Sequence, residues 1–164
     1  MSAPAKADIT AEMRKLFGDD EKRINHALSV LSYAEEIMRE EPCDPPVVVA
    51  AALLHDIGIH EAERKHNSNA GRYQEIEGPP IAEEILKSLG ANAELTEEVC
   101  DIVGHHHSPR KQETSNFKIL YDADTIVNLC DDGAPSGKRP LEEKLARIFL
   151  TPTGLRIARL KLHG

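Results

Sequence analysis

Apolar positions recur along the chain at three- and four-residue spacing, the period of helices with one buried face, and no strand partner is visible anywhere. Ile9 to Phe17 reads as a short helix that Asp8 or Thr10 can cap and Gly18 can stop. A long helix follows Asp19-Asp20 and runs to about Glu41, with His26, Val30, Tyr33 and Ile37 in one stripe beside Leu28, Leu31 and Met38. This places His26 on the buried side. Pro42-Cys43-Asp44-Pro45-Pro46 breaks that helix and starts the next, with Asp44 as N-cap and Pro45 at the first helical position. The run from Val47 to Leu54 is apolar almost all round, which marks a central helix buried on every side.

Between Gly58 and Gly78 the periodicity fades and polar residues dominate, so this stretch is expected to be a functional loop or lid interrupted by short helical turns. Gly78-Pro79-Pro80 then opens a helix from Ile81 to Leu89, closed by Gly90. Leu95 to His107 forms the next, where Leu95, Val99, Ile102 and Val103 lead at helical spacing to His106, turning it toward the core. Phe117 to Leu129 resumes the period after Pro109, and Asp131 to Pro140 reads as a mobile loop. Leu141 to Leu150 is a further helix; Gly154 to Leu162 fits helix or strand by pattern and is assigned to helix for want of a strand partner. The expectation is an all-α, single-domain helical bundle over residues 1–164, with a core of about 20–130 and a C-terminal helical extension of about 141–163.

At 164 residues the chain can bury a real core without staples. Its formal charge of −8 argues against a surface that coats nucleic-acid polymers. Cys43, Cys100 and Cys130 are far apart and form no C-x-x-C, which suits reduced thiols in a cytoplasmic compartment. No apolar run approaches membrane-spanning length, and Met1 to Asp8 lacks the charged-then-apolar form of a leader, so no membrane association is expected.

Eight histidines concentrate the chemistry. The small-apolar run Ala50-Ala51-Ala52-Leu53-Leu54 leads straight into His55-Asp56, two adjacent metal-binding side chains. Neighbouring helical residues diverge by about 100° around the axis, so they share an ion only if other helices bring further ligands. Asp124 shares a stripe with Phe117, Leu120, Tyr121 and Val127, and a carboxylate among apolar neighbours calls for a cation. Asp122, four residues after Lys118, fits an ordinary surface pair. Arg23 shares a helix side with His26 and either reaches an anion near the site or is solvated. His105 either lines the site, oriented by Asp101, or is paired at the surface, and His107 is the most incidental of its run. In the polar segment Arg72, ahead of Lys65 and Gln74, is expected to contact a substrate phosphate, since its planar fork matches phosphate oxygens. Glu61 is a candidate general base beside Asp56.

Taken together, His26, His55-Asp56 and Asp124 resemble, in order and setting, the HD-domain metal-dependent phosphohydrolase superfamily, over roughly residues 20 to 130. The resemblance implies that these four residues bind one divalent cation, of the Mn, Fe, Co, Ni or Zn type by their donor chemistry. It also implies hydrolysis of a nucleotide or other small phosphate ester through a metal-bound water, with His106 supporting the reaction. Arg23, Arg72 and His105 would contact the substrate. Two-metal relatives add a His at the position of Gly78 and a His-His pair whose counterpart here is His105-His106. The glycine-rich tail of the cyclic-dinucleotide phosphodiesterase branch is missing, since His107-Ser108-Pro109-Arg110 stands there. Three alternatives stay open: a cyclic-nucleotide or linear phosphodiesterase, an HD-type di-iron oxygenase, and a nucleotide-sensing module that keeps its metal without turnover. No Ser or Cys nucleophile motif and no P-loop is present, so water is the expected nucleophile. Self-association as a homodimer is left open.

Overall fold

The apolar run predicted to be central is the axis of the molecule. In the computed structural model, which describes residues 3–163, it forms α3 (Pro45–Leu54), whose Val47, Val48, Ala50, Ala51, Ala52, Leu53 and Leu54 are all buried. Met1, Ser2 and Gly164, the ends of the 1–164 span, lie outside the described residues. The three alanines make α3 thin, which lets α1 (Lys6–Phe17), α2 (Glu21–Met38), α6 (Ala93–Val103) and α7 (Ser115–Asp132) all pack against it. The remaining elements are α4 (Ile59–His66), α5 (Gly71–Ser88), α8 (Lys138–Ile148) and α9 (Pro152–His163), so the described residues form nine helices and no strand. The all-α expectation is borne out.

Local chemistry sets the boundaries, with some departures from the sequence reading. Asp44 occupies the N-cap of α3 and Pro45 its first position, but the Asp44 side chain makes no capping bond; its backbone N–H donates to Asn116 Oδ1 on α7 instead, at 2.8 Å. Asp20 does cap α2, its Oδ1 accepting from the Arg23 N–H at 3.3 Å. The polar stretch expected as a loop is mostly helix, α4 plus the first half of α5, joined by a turn in which Asn67 takes the left-handed conformation at φ 53°. Pro79-Pro80 does not start α5 but lies inside it, where each proline removes a backbone donor. Packing along both α4 and α6 holds α5 through that interruption, a tertiary gain that local propensity does not register.

That packing is close. A Cβ on Gly58 would fall 2.5 Å from the backbone nitrogen of Gly78, and one on Gly78 would fall 2.7 Å from Val103 Cγ1. Glycine at both positions lets α5 pass against the turn that carries His55 and Asp56. The space a side chain at Gly78 would need is thus taken by the Val103 side chain.

One buried carboxylate anchors the entry to α9. Asp122, expected at the surface, is fully buried. Its Oδ1 accepts from the Leu150 N–H at 2.9 Å, and its Oδ2 accepts from the Thr151 N–H and hydroxyl at 2.8 and 2.7 Å. It therefore holds the entry to α9 against α7, beside Gly154, where a Cβ would collide with the carboxylate. Burial pushes the Asp122 carboxyl up to about 6 against the lowering effect of these hydrogen bonds. Because the folded pKa lies above the unfolded one, the proton-linked part of its stabilisation is full below about pH 4 and is lost as pH rises through about 6. Asp122→Ala is expected to lower unfolding free energy by about 2–4 kcal/mol, since three buried donors lose their acceptor. Denaturant unfolding of both proteins at pH 5 and pH 8 checks this, and the difference should be larger at pH 5.

Candidate metal centre and cavity

His26 comes from α2, His55 and Asp56 from the turn after α3, and Asp124 from α7. His26 Nε2 stands 3.2 Å from His55 Nε2, 3.2 Å from Asp56 Oδ2 and 3.0 Å from Asp124 Oδ1. His55 Nε2 is 3.4 Å from Asp56 Oδ2 and 3.3 Å from Asp124 Oδ1. Donors about 2.1 Å from one ion lie about 3.0 Å apart at right angles and about 3.4 Å apart at the tetrahedral angle, so this spacing matches a shared cation.

The tautomers support the same reading. His55 Nδ1 faces the Ala52 carbonyl at 2.8 Å, and a carbonyl only accepts, so Nδ1 carries a proton and the neutral ring turns its lone pair toward the two carboxylates. Without a cation, facing lone pairs at this distance repel unless a proton intervenes. Burial lowers the His55 pKa, but the charges of Asp56 and Asp124 outweigh it and hold the ring well above the usual histidine range. Burial likewise raises both carboxyls, yet His55, with His106 acting on Asp56 and His26 on Asp124, keeps each below the usual carboxylate range. The pocket is built for positive charge among its donors, and imidazole with carboxylate suits a transition-metal cation.

A second group adjoins it. Asp56, His106 and His107 also offer ligand atoms within 4.8 Å of one another. His106 follows the same rule as His55: Nδ1 donates to the Val103 carbonyl at 2.8 Å, leaving Nε2 facing Asp56 Oδ1 at 3.3 Å. Gln74 Nε2 donates to the Asn69 carbonyl at 2.5 Å, so its Oε1 accepts from His107 Nε2 at 3.1 Å. The other His107 nitrogen is left with its lone pair. Burial, with the charge of His106, holds the His107 pKa below the ordinary range.

The four-residue group opens into a cavity of about 300 Å³ lined by Lys22, Arg23, Ile59, Gln74, His107 and Asn128, and by Asp131 and Asp132. Arg23 thus stands where an anion reaching the centre would meet it, and of Arg72, Lys65 and Gln74 it is Gln74 that lines the cavity. Three expected site residues do not. Glu61, on α4, pairs with Arg64 and Lys65 and faces a groove shared with Glu12 and Lys15, so it is no base for this centre. Arg72 is exposed, lies 4.7 Å over the Tyr73 ring and donates to the Tyr73 hydroxyl at 2.9 Å. His105 spends both nitrogens elsewhere: Nδ1 donates to the Asp101 carbonyl at 2.6 Å, Nε2 meets Glu113 at 2.9 Å, and the ring stacks on Phe117 at 4.4 Å. The reason is that α6 ends at Val103, not His107, and the three histidines follow in a turn. Helical spacing therefore misassigned the neighbours of His106: His105 turns to a structural contact, and His107, set aside as incidental, faces the cavity. The signal that points to His107 is Gly71, whose missing side chain leaves room for that ring 3.0 Å away.

This geometry agrees with what the chain is similar to. Residues 23–129 match the HD domain family, and the chain belongs to that family. A crystal structure of a predicted HD superfamily hydrolase from an uncultured Thermotogales bacterium superposes with a TM-score of 0.68 at 27% identity, covering 96% of this chain and 84% of that one. A deoxyguanosinetriphosphate triphosphohydrolase-like protein of Bifidobacterium longum (strain NCC 2705) is 26% identical in an alignment 142 residues long that covers 73% of this chain. The match spans only 30% of that relative's length. No described helix is long and apolar enough to cross a membrane.

Asp124→Ala should remove most bound divalent metal and abolish the rise in melting temperature that metal addition gives the wild type, because a ligand of the native state stabilises it by mass action. Elemental analysis and thermal melts with and without Mn, Co or Ni check this; wild-type occupancy in the variant would refute the ligand set.

Proposed function

We propose that the protein is a divalent-metal-dependent phosphohydrolase acting on a nucleotide or other small phosphate ester. The observation that supports this most directly is the convergence of four donor atoms at 3.0–3.4 Å on the floor of a cavity that Arg23 and Lys22 also line. His26, His55, Asp56 and Asp124 would hold the cation, which when bound supplies Lewis acidity to the phosphoryl group and acidifies water. The chain's own residues do the rest. Arg23 and Lys22 bind the nonbridging phosphate oxygens and orient the phosphorus over the floor of the cavity. Asp56, whose Oδ1 faces His106 Nε2 at 3.3 Å, receives a proton from the attacking water. Oxygen adds to phosphorus, the ester P–O bond breaks, and the leaving alcohol takes up a proton, giving inorganic phosphate and a free hydroxyl. The apolar wall at Ile59 and the burial of the ligands keep competing water away, which strengthens each charge interaction.

The second donor group favours a second reading, a dinuclear centre through Asp56, His106 and His107, which an HD-type di-iron oxygenase would require. Metal stoichiometry separates the two: one exchangeable cation per chain fits hydrolysis at a mononuclear site, and two irons with a visible chromophore fit the oxygenase.

Phosphate release from a panel of phosphate esters, after chelation and re-addition of each divalent metal, tests the activity. Arg23→Ala is expected to lower kcat/KM by about ten- to a hundredfold, as loss of a charge-assisted phosphate contact does, while Arg72→Ala leaves it unchanged. Tight nucleotide binding with no turnover under any metal would replace this reading by that of a sensing module.

A further inference from the structure

The cavity is electrically divided. One wall carries Lys22 and Arg23 in the first turn of α2; another carries Asn128, Asp131 and Asp132 toward the end of α7. The two helices meet at His26 and Asp124, 3.0 Å apart, and from that contact the cavity extends back along α2 and forward along α7. The helix dipoles add to the division, since the start of α2 is its positive end and the end of α7 its negative end. Among the described residues, no hydrogen bond or ion pair engages the side chains of Lys22, Arg23, Asn128, Asp131 or Asp132. Lys65 with Glu77 and Lys87 with Glu83, by contrast, pair with one another outside the cavity. Opposite charges that line one cavity without pairing are placed for two ends of a bound molecule.

We propose that this site takes phosphate monoesters, with one phosphate at Lys22 and Arg23 and an organic part that offers hydrogen-bond donors to Asn128, Asp131 and Asp132, and that it selects against di- and triphosphates. This rests on the phosphohydrolase reading above. A sugar hydroxyl pair or an amine suits the acidic wall; a second or third phosphate does not, because it would have to lie against two carboxylates. The bond broken is therefore the ester bond between phosphorus and the alcohol oxygen, and the products are inorganic phosphate and an alcohol, not a nucleoside and tripolyphosphate.

The test compares the metal-loaded wild type with Asp131→Asn/Asp132→Asn on the mono-, di- and triphosphates of one nucleoside, with a simple amino-alkyl phosphate and its alkyl analogue alongside. Turnover is read as kcat/KM, and binding separately as the ligand-induced shift in melting temperature. The wild type should favour the monophosphate over the triphosphate by about tenfold or more in both readouts, the scale that like-charge juxtaposition produces. The double variant should narrow that ratio about fivefold, chiefly by gaining on the triphosphate, and should lose any preference for the amino-alkyl over the alkyl ester. A wild type that handles the triphosphate as well as the monophosphate, or a ratio the double variant leaves unmoved, overturns the proposal. Should no ester turn over, the phosphohydrolase reading fails alone, and the melting shifts still decide whether the cavity prefers one phosphate to three.

Discussion

Atoms that repel one another have been brought together inside this protein. Two imidazole nitrogens and two carboxylate oxygens from three places in the chain stand 3.0–3.4 Å apart in a buried setting, an arrangement that is stable only with positive charge among them. Everything nearby holds that arrangement in place. Carbonyls of Ala52 and Val103 fix the tautomers of His55 and His106, and Gly58 and Gly78 let α5 close over the turn that carries His55 and Asp56. The alanine run of α3 brings α2 and α7 close enough for His26 and Asp124 to touch.

The same helices deliver the cavity. Because α2 and α7 meet at His26 and Asp124 and extend away from them on one side, the residues a few positions from each become the walls of the cavity. His60 reinforces one of them: its Nε2 meets Asp20 Oδ2 at 2.7 Å, and Asp20 caps the first turn of α2 that bears Lys22 and Arg23. The segment after the His-Asp dipeptide thus braces the basic wall, while α9, held by Asp122, backs the helix of the acidic one.

Much of this was legible in the chain. The stripe through His26, the apolar run before His55 and the apolar neighbours of Asp124 are consequences of helical period and burial, and both are written in local sequence. What could not be read was set by contacts between distant segments. Pro79-Pro80 looks like a helix start because its missing donors are a local fact, whereas the packing of α5 on α4 and α6 that overrides them is not. Asp122 looked like a surface partner of Lys118 because its real partners stand 28 and 29 residues away. The histidine run shows the limit most plainly, since ending α6 at Val103 instead of His107 rotates each ring to a different neighbour. Glu61 and Arg72 were chosen by chemistry and proximity in sequence; the helices they belong to point them away from the cavity.

The fastening of α9 bears on where this protein can be divided. Similarity to the family runs from residue 23 to residue 129, a natural place to cut a minimal fragment. Asp122 lies inside that interval, yet the donors that satisfy it belong to Leu150 and Thr151. A chain trimmed to the matched interval would take away the donors that Asp122 bonds and uncover the face of α7 on which α9 packs, two residues from Asp124 on the same helix. The evolutionary module and the cooperative unit have different borders, and it is hydrogen bonding, not ancestry, that marks the second.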